Sequence, residues 1–128
     1  MSKIVLDASA ILAVILQERG HEQLTPALLS KSAAGTVNLA EVQSKLVSRG
    51  WSSEEAWEDA TSPVHEVIPF DEEHAQIAGD LITSTQTLGL GLGDRCCLAL
   101  AIALNLPVYT ADKTWKKLKL KVEVHAIR

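Results

Sequence analysis

Short apolar runs alternate along the whole chain with longer stretches in which apolar residues recur every three or four positions. A short run bounded by turn formers suits a buried strand, whereas the three-to-four spacing suits a helix with one buried stripe. The runs place strands at residues 3–6, 35–37, 66–69, 108–110 and 122–126. The longer stretches predict helices at 9–18 and 21–31, parted at Gly20, and then at 38–49, 52–60, 71–87 and 95–104. Asn38 is expected to cap the third helix and Gly50 to end it, and Ser52 with Glu55 has the spacing of a capping box. The helix at 71–87 carries Ala75, Ile77, Ala78, Leu81 and Ile82 as its buried stripe. The last helix is apolar almost all round, as expected of an element covered on several sides. Strands alternating with helices in this way predict an α/β fold built of βαβ units on a mainly parallel sheet.

Between these last two helices Gly89, Gly91 and Gly93 alternate with leucines. The stretch lacks the Lys-Ser/Thr ending of a P-loop, so it is expected to be a hinge or a place of close backbone approach. No internal repeat and no linker divides the 128 residues, which are expected to form one domain over residues 1–128. With 47% hydrophobic and 22% charged residues, the chain has the composition of a folded domain rather than a disordered one. The apolar run at 8–16 is about half the length that crosses a bilayer, so no membrane association is expected. No secretory leader is expected, because Asp7 interrupts the start of the apolar run, and the adjacent Cys96 and Cys97 are badly placed to pair with each other. They are expected to be buried thiols of a cytoplasmic protein.

Four acidic residues stand where a predicted strand ends or a helix begins. Asp7 follows Ile4, Val5 and Leu6, and Asp112 follows Val108, Tyr109 and Thr110 by two positions. Glu41 is expected one turn into the helix after the second strand, and Asp94 at the start of the apolar helix. In open α/β sheets ligands gather beyond the carboxyl ends of the strands, where parallel strands bring such residues to one edge. Each acid taken singly is also a reasonable helix cap. Clustered carboxylates raise one another's pKa unless a cation or a proton is shared. Oxygen donors without His or Cys select a hard cation, so Mg²⁺ or Mn²⁺ is expected. The net charge of -4 is unusual for a nucleic-acid binder, but divalent ions among the acids invert the local field.

The segments Val5-Leu6-Asp7-Ala8-Ser9, Asn38-Leu39-Ala40-Glu41-Val42, Gly93-Asp94-Arg95 and Tyr109-Thr110-Ala111-Asp112, in this order and with Pro107 and Trp115 around the last, resemble the PIN-domain nucleases, and among them the VapC-type toxins. The resemblance implies a three-layer α/β/α fold with a five-stranded parallel sheet in the order 3-2-1-4-5. It further implies a homodimer, an inhibitory antitoxin partner, and cleavage of RNA by metal-activated water. Asp7, Glu41, Asp94 and Asp112 match the family's acidic quartet, the expected catalytic and metal-ligating residues. Ser9 and Thr110 match its polar helpers.

Other residues leave alternatives open. Arg95 either contacts phosphate or pairs with a neighbouring carboxylate. Lys113, Lys116, Lys117, Lys119 and Lys121 either steer RNA or form a solvated face. The four histidines are scattered, and no Ser or Cys has an evident partner base, which argues against a nucleophilic triad. Two other functions fit an α/β domain of this kind: another Mg²⁺-dependent phosphoryl-transfer protein, and a binding module that keeps the fold without activity. The first lacks the acceptor aspartate and late Lys-Pro pair of a receiver, and the second has no need of four acids.

Overall fold

A computed structural model describes residues 1–128. In chain order its elements are β1 (Ile4–Leu6), α1 (Ala8–Leu16), a 3₁₀ turn (His21–Gln23), α2 (Pro26–Leu29), β2 (Ser32–Gly35), α3 (Thr36–Ser48), α4 (Ser53–Thr61) and β3 (Glu66–Ile68). There follow α5 (Glu72–Asp80), α6 (Ile82–Thr85), a 3₁₀ turn (Gln86–Leu88), α7 (Leu92–Leu104), β4 (Val108–Thr110), a 3₁₀ turn (Lys113–Lys117) and β5 (Val124–Ala126). The five strands form one sheet in the order β3-β2-β1-β4-β5, and every neighbouring pair is parallel. This is the expected α/β topology.

The central strand explains the layering. Ile4, Val5 and Leu6 are all buried, as a strand covered on both faces requires. Side chains alternate across a strand, so Ile4 and Leu6 pack with α1, α3 and α4, while Val5 packs on the opposite side with α7. In α7, Cys97, Leu98, Leu100 and Ala101 face the sheet-side core, while Cys96 and Ala99 meet Ala78 of α5. These small side chains let α5 lie close on α7, which accounts for a helix with no polar face along its middle. Both cysteines are buried and unpaired, as expected.

Several boundaries differ from the expectations. The second strand is Ser32–Gly35, not 35–37, because the helix starts earlier: Gly35 has the extended backbone of an N-cap residue (φ -79°, ψ 152°) and Thr36 is already helical. Asn38 is therefore not a cap but a buried residue inside α3. The stretch 21–31 is not one helix, since Leu24 and Thr25 leave helical geometry and Thr25 caps a new turn at Pro26. The stretch 71–87 breaks at Leu81 into two helices and a 3₁₀ turn. The apolar helix begins at Leu92 with Gly91 as its N-cap, which places Asp94 in the first turn. No helix is long and apolar enough to cross a membrane.

Candidate active site at the carboxyl edge of the sheet

Asp7 leaves the end of β1 and is 3% exposed, a rare position for a carboxylate without a cation. Its Oδ2 accepts from the Ser9 hydroxyl at 2.6 Å and from the Thr110 hydroxyl at 2.9 Å. Each hydroxyl has one proton, so both are spent on Asp7, and the 3.2 Å separation of the two oxygens is an approach rather than a third donation. Their lone pairs are also used: Ala111 N–H donates to Ser9 Oγ at 2.9 Å and Asp112 N–H to Thr110 Oγ1 at 3.0 Å. The backbone following β4 is thus stitched through two hydroxyls to the acid following β1. The side-chain hydroxyls expected as helpers are the ones that hold Asp7. Burial still dominates, raising the Asp7 pKa from 3.8 to about 6, with the Ser9 and Thr110 bonds lowering it and the charge of Asp94 adding to the rise.

Glu41 stands on α3, where the parallel order of β2 and β1 carries that helix to the same edge. Asn38 Nδ2 donates to Glu41 Oε1 at 2.7 Å and to the Gly93 carbonyl at 3.0 Å, so one amide braces α3 against the first turn of α7 and fixes the glutamate. A Cβ on Gly93 would collide with the Glu41 carboxylate, which explains why the glycine stands where that side chain lies across the helix start. The glycine stretch is a place of close approach at this position. Asp94 Oδ2 accepts from Gly91 N–H at 3.0 Å, so its carboxylate also serves the helix start. Burial raises the pKa of Glu41, opposed by the Asn38 bond and reinforced by Asp94. Burial likewise raises that of Asp94, opposed by the Gly91 N–H and reinforced by Asp112.

Asp7, Glu41 and Asp94 line one cavity of about 630 Å³, with Ser9, Leu12 and Lys45 among its other walls. Beneath it Cys97 is wholly buried; loss of solvation, and then the charges of these three acids, push its thiol well above the usual range. Asp112 is not in this cavity. It is exposed, and its Oδ1 accepts from the backbone N–H and the hydroxyl of Thr114, at 3.0 and 2.7 Å, as the cap of the 3₁₀ turn that buried Trp115 anchors. Its charge nevertheless reaches Asp94. No three His, Cys, Asp or Glu side chains lie at the spacing of a metal's ligand shell. The close cation–carboxylate contacts of the molecule all involve histidines outside the cavity.

Of the two roles expected of Arg95, pairing with a neighbouring carboxylate is not seen. Arg95 Nη1 donates to the Ala78 carbonyl of α5 at 3.2 Å, and its Nε is buried without a partner. The guanidinium therefore braces α7 against α5, and Arg95 does not line the acid cavity. The functional residue that the sequence did not reveal is Asn38, expected to cap α3 and instead holding Glu41; for Gly93 the sequence indicated a close approach but not its partner, the Glu41 carboxylate. The i,i+3 spacing of Asn38 and Glu41 carried the signal: side chains three apart on a helix meet, and an amide facing a carboxylate there donates to it.

The model of the PIN domain family matches residues 4–121. The chain belongs to the PIN domain family. No curated protein matches it. Among solved structures it is similar to a chain of VapBC2 from Rickettsia felis bound to a DNA fragment from their promoter, at 23% identity over 96% of this chain and 97% of that one (TM-score 0.72). It is also similar to a chain of DNA-bound VapBC from Salmonella typhimurium, at 16% identity over 100% of both (TM-score 0.77), and to one of FitAcB from Neisseria gonorrhoeae, at 21% identity over 97% of both (TM-score 0.70). At these identities the likeness is one of fold.

Proposed function

We propose that this chain is an endoribonuclease that hydrolyses RNA phosphodiester bonds at the acid cavity with Mg²⁺ or Mn²⁺, acting as the toxin of a type II toxin–antitoxin pair. The observation that carries the reading is the cavity itself: three carboxylates face it, each destabilised as an anion by burial and each near another acid, with no Lys or Arg paired to any of them. Such a set is stable in its ionised form only when a cation shares it.

The donor set suits a hard divalent ion by its chemistry, all oxygen and all carboxylate, although its side chains do not stand at ligand-shell spacing here. Asp7 spends Oδ2 on Ser9 and Thr110, Glu41 spends Oε1 on Asn38, and Asp94 spends Oδ2 on Gly91, so each keeps a second oxygen outside these bonds. Asp7, Glu41 and Asp94 would hold the ion, with Asp112 joining from the neighbouring strand end. When bound, the ion supplies a more acidic water and neutralises charge gathering on the phosphate. The protein's own part is orientation: Ser9 and Thr110 keep Asp7 in one rotamer, and Asn38 keeps Glu41 facing the cavity. Lys45, one turn beyond Glu41 on α3, lines the outer wall and offers a cation to the substrate's backbone.

The toxin assignment rests on family membership and on the likeness to chains from VapBC complexes. With it come an antitoxin partner and a homodimer, and a cytoplasmic site of action on RNA. The test is incubation of the purified protein with total RNA plus Mg²⁺ or Mn²⁺, beside a chelator and an Asp94→Asn variant. Discrete fragments are expected only from the metal-supplied parent. Equal cutting by every sample would reveal a contaminating nuclease, and intact RNA throughout would favour a phosphoryl-transfer protein or an inactive binding module.

A further inference from the structure

A second cavity, of about 350 Å³, adjoins the acid cavity and has the opposite character. Arg19, Lys113 and Arg128 line it with Ala111, Asp112 and Thr114. The two cavities share a wall, because Ala111 donates its N–H to Ser9, which lines the first. Three cationic side chains meet a single side-chain carboxylate here, and that carboxylate is occupied by Thr114; no Arg or Lys side chain of the cleft lies within ion-pair distance of an acid.

Backbone constraints from three parts of the chain bring these cations together. Buried Gly20 (φ +93°) lies so close to the Ile127 carbonyl that any Cβ would strike it, so the turn after α1 packs against the residues that follow β5. Ile127 N–H donates to the Thr110 carbonyl at 2.9 Å, and Arg128 Nη1 donates to the Arg19 carbonyl at 3.1 Å. Lys113 is set by the turn that Trp115 anchors. In a chain of net charge -4, a cleft walled by three unpaired cations beside a polyanion-cleaving site is complementary to phosphate.

We propose that the Arg19–Lys113–Arg128 cleft is a phosphate subsite that holds the backbone of the RNA strand beside the bond to be cut. The inference rests on the RNA reading of the acid cavity and refines the expectation for the basic run: Lys113 contacts the strand, and Lys116, Lys117 and Lys119 lie outside the subsite.

Binding of a short fluorescein-labelled single-stranded RNA is measured by anisotropy across a salt series, in chelator so that nothing is cut. Each phosphate contact to a single strand contributes about -0.7 to the slope of log K against log salt. Replacing Arg19, Lys113 and Arg128 together by Gln is expected to make that slope shallower by about 2 and to weaken binding at low salt at least tenfold. A Lys116→Gln, Lys117→Gln, Lys119→Gln triple, with the same change of charge, is expected to alter the slope by less than half as much. Equal slopes for the two triples, or absence of RNA binding by the parent, overturn the proposal. Cleavage by the parent with Mg²⁺ alongside an unchanged slope sinks the cleft and leaves the nuclease reading standing; a changed slope without cleavage does the reverse.

Discussion

Asp7 and Asp112 look alike in the sequence, each an acid just beyond a short apolar strand, yet the fold treats them oppositely. Asp7 leaves the central strand, is covered on both sides and is held by two hydroxyls. Asp112 leaves the neighbouring strand into an exposed turn, and its carboxylate is used to cap that turn. The two residues remain linked, since the Asp112 backbone N–H feeds the Thr110 hydroxyl that feeds Asp7. The difference teaches that a strand-end acid becomes strained only where the layers above and below the sheet exclude water. The buried one stores unfavourable charge, and the exposed one stabilises local structure.

The largest effect on stability follows from Asp7. In metal-free protein its pKa is about 6 against 3.8 when solvated, so between these values the folded state keeps a proton that the unfolded chain has released. Stability therefore falls as pH rises through that window, by about 3 kcal/mol in total, and the loss is complete above it. Asp7→Asn removes the ionisation while keeping an acceptor for Ser9 and Thr110. It is expected to stabilise the metal-free protein by up to about 3 kcal/mol at pH 8 and to do little at pH 4, while abolishing cleavage. Mn²⁺ at about a hundred times its Kd should add about 2.7 kcal/mol to the parent at pH 8 and almost nothing at pH 4. Thermal melts of parent and variant at both pH values check this; a parent that gains stability from pH 4 to 8 without metal would break the contrast.

The next effect is at Asn38, which braces Glu41 and the Gly93 carbonyl with one buried amide. Asn38→Ala leaves that carbonyl without its side-chain donor and frees Glu41, and is expected to cost about 2 kcal/mol. Asn38→Asp, which replaces the donor by a fourth anion at the cavity, beside Glu41, should cost more at pH 8 than at pH 5. Urea melts at the two pH values read the difference.

Asp112 comes third. Asp112→Ala removes the cap on Thr114 and should cost about 1 kcal/mol, whereas Asp112→Asn retains an acceptor and should be near neutral. If Asp112 joins the cation as proposed, both variants lose cleavage while only the first loses stability. Cleavage by Asp112→Asn at the parent's rate would confine its role to the cap.

The alternation of short apolar runs with helices made a mainly parallel α/β sheet legible, whereas the strand order followed only from the resemblance to the PIN-domain nucleases, whose four segments fall at strand ends and helix starts. The boundaries were less so, for physical reasons. The strand at Ser32–Gly35 is built of Ser, Ala, Ala and Gly, whose weak β preference gives no signal; it is a strand because β1 and β3 pair with it on both sides. The break at Leu81 comes two residues after Gly79, a weak helix former whose signal is masked by the apolar stripe continuing to Ile82. Of the site, residue types and order were readable, but which carboxylate would be buried was not, since burial depends on layers contributed by distant residues. The same limit hid the role of Arg95: nothing local indicates that its guanidinium turns toward the Ala78 carbonyl.

Gly93 gives the smallest change in stability and the sharpest test of positioning. It lies inside the first turn of α7, where Ala in place of Gly would ordinarily stabilise a helix by about 1 kcal/mol. The added methyl would collide with the Glu41 carboxylate, the free end of a half-exposed side chain, so the side chain moves and its bond from Asn38, worth about 1 kcal/mol, is lost. The two terms nearly cancel, and Gly93→Ala should melt within about 1 °C of the parent. Cleavage should nevertheless fall, because displacement of a catalytic group by about 1 Å costs on the order of a hundredfold in rate. A variant that cuts RNA at the parent's rate would show that the placement of Glu41 by Asn38 and Gly93 is not required, and that the buried Asp7 and its neighbour Asp94 suffice.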